Sequence, residues 1–523
     1  MVADEAREAG ELVYAAFCRA FSAGQLARVE QEDLDHLLSR KEPLFVVFVD
    51  PPKGIFRFFQ AARSHPAGVK MVLFGKLPFS IAEQLGVHIR NTSEDFSSDA
   101  ASESAPAGCF RESRLRICYR RTLGSLSSPI FERAFLRYDF AKEWNHLGYG
   151  AIRLDCSPWA LSQWADAPQT AVLADVVRSD EVLSTYAAGW DEEHSSVLWF
   201  NRAVGPIDSQ EWRLVEHFFA SYRHVELPCL PVFSEIPYGW DAAVTMRLDC
   251  DEEIASARGL FEQYRAWNVP FSLAIHTSIL KGSSHVQMVQ DVIKSRGAIL
   301  SHSHTHPSQW GGSYQMAFQQ AEDSSAAIND MLGKDLSPLY AVSPFHQTPS
   351  YALRALSDAN YLGCIGGTIS SDPEFLLARG GHVLGCPPGF IGHSQSCMLH
   401  GDCLLSEGDP LRIYKDAFLI ALRGRGLFGF LDHPFSKRYS YGWQSESQRT
   451  EVHRQWIEFI RSQGRVLFLN EQDVLDFIRY KSSVNINLNK NGEIIYQASF
   501  SRPNSELDLA VELAGRLVNL TGG

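Results

Sequence analysis

Residues 243–277 read AVTMRLDCDEEIASARGLFEQYRAWNVPFSLAIHT. An apolar run ends in acids, a helix-like stretch follows (256–267), and a second apolar run (271–277) comes after it. Strand, helix, strand at this spacing is the unit of a parallel α/β sheet, because parallel neighbours need a long crossover between them. The unit repeats downstream. Residues 288–297 read as a helix, and AILSHSHTHP (298–307) as a strand running into a His-rich loop. Residues 315–333 and 351–360 are helical in pattern, alternating with the strands LYAVSPF (339–345) and YLGCIGG (361–367). A Gly-rich stretch with several Cys and His (380–405) reads as a long loop, a lid or cleft wall. LFGFLDHP (427–434), a helix around 452–464, RVLFLN (465–470) and a helix over 471–480 close the series. About seven strand–helix repeats predict a (β/α) barrel over 236–480.

On the N-terminal side, residues 1–235 predict an open α/β domain. PLFVVFVD (43–50), VKMVLFG (69–75) and SVLWFNRA (196–203) are its strands, and the rhythm resembles a flavodoxin-like or class I amidotransferase-like sheet without its nucleophile. Asp50 is followed by Pro-Pro-Lys-Gly, which lacks the spacing of a phosphate loop. A proline-rich connector (227–240) leads out of this domain. On the C-terminal side, residues 484–501 alternate around an Asn-Gly turn, so 481–523 reads as a β-hairpin appendage with a short helix.

Composition narrows the function classes. The net charge of -13, with no long Lys/Arg run, argues against a nucleic-acid partner. No stretch approaches the roughly 18 consecutive apolar residues of a membrane span. The first residues are acidic and lead to no apolar export segment, and the ten Cys are scattered without a CxxC pair. Reduced thiols in a cytoplasmic protein are therefore expected, with a homo-oligomer as one option for its assembly.

Three strand ends carry the chemistry. In Arg247-Leu248-Asp249-Cys250-Asp251, alternation puts Arg247, Asp249 and Asp251 on one face and Leu248 and Cys250 on the other. Two carboxylates at the C-terminal end of a barrel strand can serve a metal and a proton transfer together, although a single strand-end Asp also serves as a helix cap. In His302-Ser303-His304-Thr305-His306-Pro307 the outer pair is spaced i, i+4, which on a helical turn shares one face. Two imidazoles and a carboxylate leave room for water on a metal. The third is Leu431-Asp432-His433-Pro434. On its own a structural His explains it equally well.

Together these motifs resemble carbohydrate esterase family 4, the NodB-homology polysaccharide deacetylases. The D-x-D form Asp249-Cys250-Asp251, the His302 to Pro307 motif and the Leu431/His433 pair carry the resemblance. It implies a metal-dependent N-deacetylase that removes an acetyl group from an amino sugar of a glycan or glycan precursor. Asp251, His302 and His306 would hold a divalent metal, zinc first. Asp249 would be the base towards a metal-bound water, and His433 the acid for the departing amine. The orienting Arg of the family's third motif is absent from Val342-Ser343-Pro344-Phe345-His346, and Arg247 is the candidate replacement. Phe345, His346, Trp310, Leu431 and Tyr441 are candidate substrate contacts, with Tyr439 and Trp443 as further stacking rings. Asp372 is the nearest match to the Asp that tunes the acidic His. Two alternatives stand beside this reading: hydrolysis of a non-sugar amide or imide, and a non-catalytic metal-containing glycan-binding module.

Overall fold

The computed structural model describes residues 6–91, 115–121, 123, 134–136, 158–178, 180–206, 209–332, 339–367, 379–436, 438–489 and 491–521. Asp372 lies outside them.

The barrel is closed, and the stretch expected to be a long loop closes it. Strand Ala242–Cys250 pairs in parallel with Ser272–Ile275, which continues through Ala298–Ser301, Tyr340–Val342 and Gly363–Gly367 to Ile391–Gln395. That last strand breaks at Ser396 and resumes as Cys397–Met398 beside Leu427–Asp432, which pairs back to Ala242–Cys250. The Ser396 amide bonds the Gly429 carbonyl at 2.9 Å across the break. A (β/α) barrel is present as expected, but its ring of seven strands is not the set read from the sequence. The sixth, 391–398, was hidden because IGHSQSCM lacks the apolar run that marks a buried strand. The expected strand at 465–470 forms as Val466–Leu469 but pairs with the start of Ala242–Cys250, off the ring.

Alternation along Ala242–Cys250 decides what faces where. Ala242, Val244, Met246, Leu248 and Cys250 pack outward against the helices, in a cluster with Leu260, Phe261, Tyr264 and Trp456. Ala243 points inward with Ala274, Leu300, Tyr340, Ile365 and Leu427. Val474, Leu475 and Ile478 of the helix Glu471–Ser482 join that inner cluster, so apolar packing fills the end where the strands begin. Polar groups are left to the other end.

The N-terminal sheet departs from expectation. Leu44–Val49, Val69–Phe74 and Ser195–Phe200 are parallel, but Glu181–Asp191, Val172–Arg178, Leu115–Tyr119 and Ala134–Leu136 continue the sheet antiparallel. The sheet is mixed, not an open parallel flavodoxin-like or amidotransferase-like one. Only two positions separate Val172–Arg178 from Glu181–Asp191, too few for a crossover, so the pair must be antiparallel.

At the C-terminus the Asn-Gly hairpin forms as Val484–Leu488 against Ile494–Ala498. The expected short helix is instead a second hairpin, Ala510–Leu513 with Arg516–Asn519. Its turn residues Ala514 and Gly515 have φ of 49° and 74°, the left-handed pair that a tight hairpin requires. This hairpin pairs with Val232–Phe233 of the connector.

Candidate metal centre

The three motifs meet at the polar end of the barrel. Asp251 Oδ1 lies 3.3 Å from His302 Nε2 and 3.4 Å from His306 Nε2, and the two ring nitrogens are 3.0 Å apart. His302 Nδ1 faces the Val342 carbonyl at 3.0 Å and so must carry a proton, which leaves the lone pair of a neutral ring on Nε2. Asp251 Oδ1 is buried and has no hydrogen-bond partner among the described residues. Lone pairs aimed at one another this closely call for a positive charge between them. Two imidazole nitrogens and a carboxylate oxygen, all within 4.8 Å of one another, fit a divalent metal.

The i, i+4 spacing of His302 and His306 works without a helix. Residues 302–307 are irregular, and Ser303 and His306 take left-handed φ of 65° and 54°. That loop turns His304 away, to Thr277 Oγ1 at 3.0 Å. Half of the left-handed non-glycine residues among those described sit in the loops around this cluster: Ser303, His306, Gln309, Trp310, Phe345, His346 and Tyr441. Strained backbone of this kind persists where the surroundings over-determine it, which is the pattern of functional sites.

Asp249 is fully inside the barrel and clamped by Arg247, whose Nε bonds Oδ1 at 2.7 Å and Nη2 bonds Oδ2 at 3.2 Å. Arg247 in turn bonds Gln395 Oε1, while Gln395 Nε2 donates to the carbonyls of Cys397 and Gly429. Burial pushes the Asp249 carboxyl up, but the Arg247 guanidinium, helped by His302 and His433, overrides it and holds it at about 2. It is an ionised carboxylate buried away from solvent. Gln395 was not legible in the sequence, because it belongs to the strand read as loop.

His433 Nε2 is 3.4 Å from Asp251 Oδ2. Its other nitrogen, Nδ1, meets His400 Nε2 at 2.8 Å. Burial, with His433 beside it, lowers His400 to about 3, so His400 is a neutral partner. Gly401 brings it there: its amide bonds the Tyr441 carbonyl at 3.0 Å, and a Cβ on it would come within 2.4 Å of the Gly442 backbone. Tyr441 consequently stacks on His433, with ring centroids 4.1 Å apart and planes 15° apart. Asp432 points outward and anchors the motif, accepting from the His433 amide (2.7 Å), Arg449 Nε (2.6 Å) and His453 Nε2 (2.9 Å). Arg449 and His453 share a face of the helix Glu446–Ser462 by their i, i+4 spacing, a signal present in the sequence.

The candidate substrate contacts divide. Phe345 is 37% exposed with its ring 4.7 Å from that of His306, and an exposed Tyr439 meets the half-buried Tyr441 edge-on beside His433. Leu431 and His346 are buried, the former on the inward face of its strand. Trp310 is not a stacking platform: it is fully buried in a cluster with Ala317, Ala321 and Ala352. Trp443 is likewise buried, donating to Asp432 Oδ1 at 3.2 Å. Elsewhere in 380–405, His393 pairs with Glu471 at 3.0 Å and Cys397 packs in the outer core.

No family model matches the sequence, and no curated protein matches it. Among solved structures the chain is similar to the CE4 domain of a multidomain xylanase from the hindgut metagenome of Trinervitermes trinervoides (15% identity, 48% of this chain and 99% of that one, TM-score 0.31). It is also similar to the chitin deacetylase of Colletotrichum lindemuthianum (13%, 46% and 89%, TM-score 0.32). A third similar structure is an allantoinase (11%, 47% and 93%, TM-score 0.36).

Proposed function

We propose that this chain is a metal-dependent N-deacetylase acting on an acetylated amino sugar of a glycan or glycan precursor. The observation that carries the reading is the unpartnered, buried Asp251 Oδ1 facing His302 and His306, two residues on from an Arg-clamped Asp249, with the other oxygen of the same carboxylate, Oδ2, 3.4 Å from His433 Nε2. Asp251, His302 and His306 would hold the ion, with zinc favoured by the nitrogen-rich set. A divalent ion there acidifies water and offsets the charge that collects on an acyl oxygen.

The protein's own groups supply the rest. Asp249, kept ionised by Arg247, accepts the proton of the attacking water. His433 hands a proton from Nε2 to the departing amine, and His400 on Nδ1 together with the Tyr441 ring fixes the direction in which Nε2 points. Phe345 on one side and Tyr439 and Tyr441 on the other offer aromatic faces to a sugar ring.

The test is acetate release from a panel of N-acetylated amino sugars and their oligomers, with cyclic imides and ureides alongside. Asp249→Asn should cut turnover by roughly 10³–10⁴-fold while metal content stays at the wild-type level. Turnover of imides alone would move the chain to another amide substrate. Glycan binding by a wild type that releases no acetate would make it a binding module.

A further inference from the structure

Outside the barrel, two nucleophilic side chains in contact are unused by the proposed chemistry. Lys70 lies in Val69–Phe74, flanked by parallel strands on both sides, and is 1% exposed. Among the described residues its ammonium makes one hydrogen bond, to Cys229 Sγ at 3.3 Å, and no ion pair with a carboxylate. Burial lowers its pKa against the pull of Cys229, and the Arg223 guanidinium lowers it further. The free amine is therefore easier to reach here than on a surface lysine. Cys229 is half-buried in the segment that carries the chain from the first sheet to the barrel. That segment packs against the start of the same strand, where a Cβ on Gly68 would lie 3.0 Å from Pro228 and 3.2 Å from Leu227. Burying an ammonium without an anion costs free energy that an apolar residue at this position would avoid. A thiol as its partner gives the lysine a chemical use.

We infer that Lys70 and Cys229 form a reversible sulfur–nitrogen link when a hydroperoxide oxidises Cys229. The sulfur attacks a peroxide oxygen: the S–O bond forms, the O–O bond breaks, and the released oxygen leaves as water with the thiol proton. The Lys70 amine then attacks the sulfur of the sulfenic acid with its lone pair. The S–O bond breaks, and the departing hydroxide takes an amine proton and leaves as a second water. Net, one thiol, one amine and one hydrogen peroxide give the S–N link and two waters. An external thiol reverses it by attacking the sulfur, which frees the amine, and a second thiol then frees Cys229. The link would staple the inter-sheet connector to the centre of the N-terminal sheet.

The test is peptide mapping by mass spectrometry of the full-length protein after stepwise addition of hydrogen peroxide. The expected product joins the peptides holding Lys70 and Cys229, is two hydrogens lighter than their sum, and comes apart in dithiothreitol. Cys229→Ser and Lys70→Arg should both lack it, and Lys70→Met serves as a second lysine variant if the arginine does not fold. Treated wild type should melt higher than untreated, whereas Cys229→Ser should not shift. Cys229 recovered as sulfinic acid, or unmodified, with Lys70 still open to acylation would overturn the proposal, and this reading needs no variant.

Discussion

The two large sheets of this protein each have a strand that runs into an aspartate, and the two ends have different fates. Asp50 closes Leu44–Val49 and turns back on its own sheet, its Oδ1 accepting the Lys76 amide at 2.7 Å. Asp251 follows Ala242–Cys250, and among the described residues its Oδ1 meets only imidazole nitrogens. The same residue type at the same kind of position is spent on backbone in one case and left available in the other. Buried charge makes the same point. Arg19, Arg379 and Lys481 are buried where the N-terminal half meets the barrel, but Arg379 is paired with Glu216 at 2.8 Å, and Lys481 Nζ bonds the Gly380 carbonyl at 3.2 Å. A strand-end acid marks a site when its neighbours bring unsatisfied ligands.

The contrast can be broken most forcefully at Arg247. Arg247→Met strands a buried carboxylate, which should cost about 3–5 kcal/mol in a denaturant melt. Turnover should fall roughly 100-fold or more. Activity near wild type would remove Arg247 from the mechanism. A smaller effect is expected at His400, where His400→Ala should lower kcat roughly tenfold with KM little changed, because it orients His433 without meeting substrate. A matching rise in KM would place His400 on the substrate instead.

The structural charges should respond to pH rather than to substrate. Burial, with Arg379 and Arg19 nearby, brings Lys481 down to about 7. Between about 7 and the ordinary lysine value the unfolded chain holds a proton that the folded one lacks, so stability should rise with pH across that window. The slope from this group is at most about 1.4 kcal/mol per pH unit, and Lys481→Met should remove it from melts recorded at several pH values. The smallest effect is expected at Asp50: Asp50→Ala should cost about 1 kcal/mol for its lost hydrogen bond and leave metal content and turnover unchanged.

The sequence was most legible where side chains alternate or repeat in a fixed period. Arg247 and Asp249 share the inner face while Leu248 and Cys250 pack outward, as two-residue alternation requires. His302 and His306 converge as their spacing suggested, although a left-handed loop and not a helical turn brings them together. What stayed hidden depends on contacts between distant segments. His400 and Gln395 reach the site because 391–398 closes the barrel, and nothing local in that polar, Gly-containing stretch marks it as a strand. Trp310 follows the His motif directly, yet the chain turns its ring into the core. Sequence proximity gave the wrong answer there because the loop reverses within a few residues. The antiparallel half of the first sheet, by contrast, was missed although its signal is local: VLADVVR (172–178) is an apolar run, and EVLSTYAAGWD (181–191) follows it too closely for a crossover.

The most direct test of the central claim is the metal content of purified wild type beside His302→Ala and His306→Ala, each also measured after zinc, cobalt or manganese is added back. The account predicts about one equivalent bound by the wild type and loss of that ion in both variants, with both still folded. Full occupancy surviving both substitutions would contradict it.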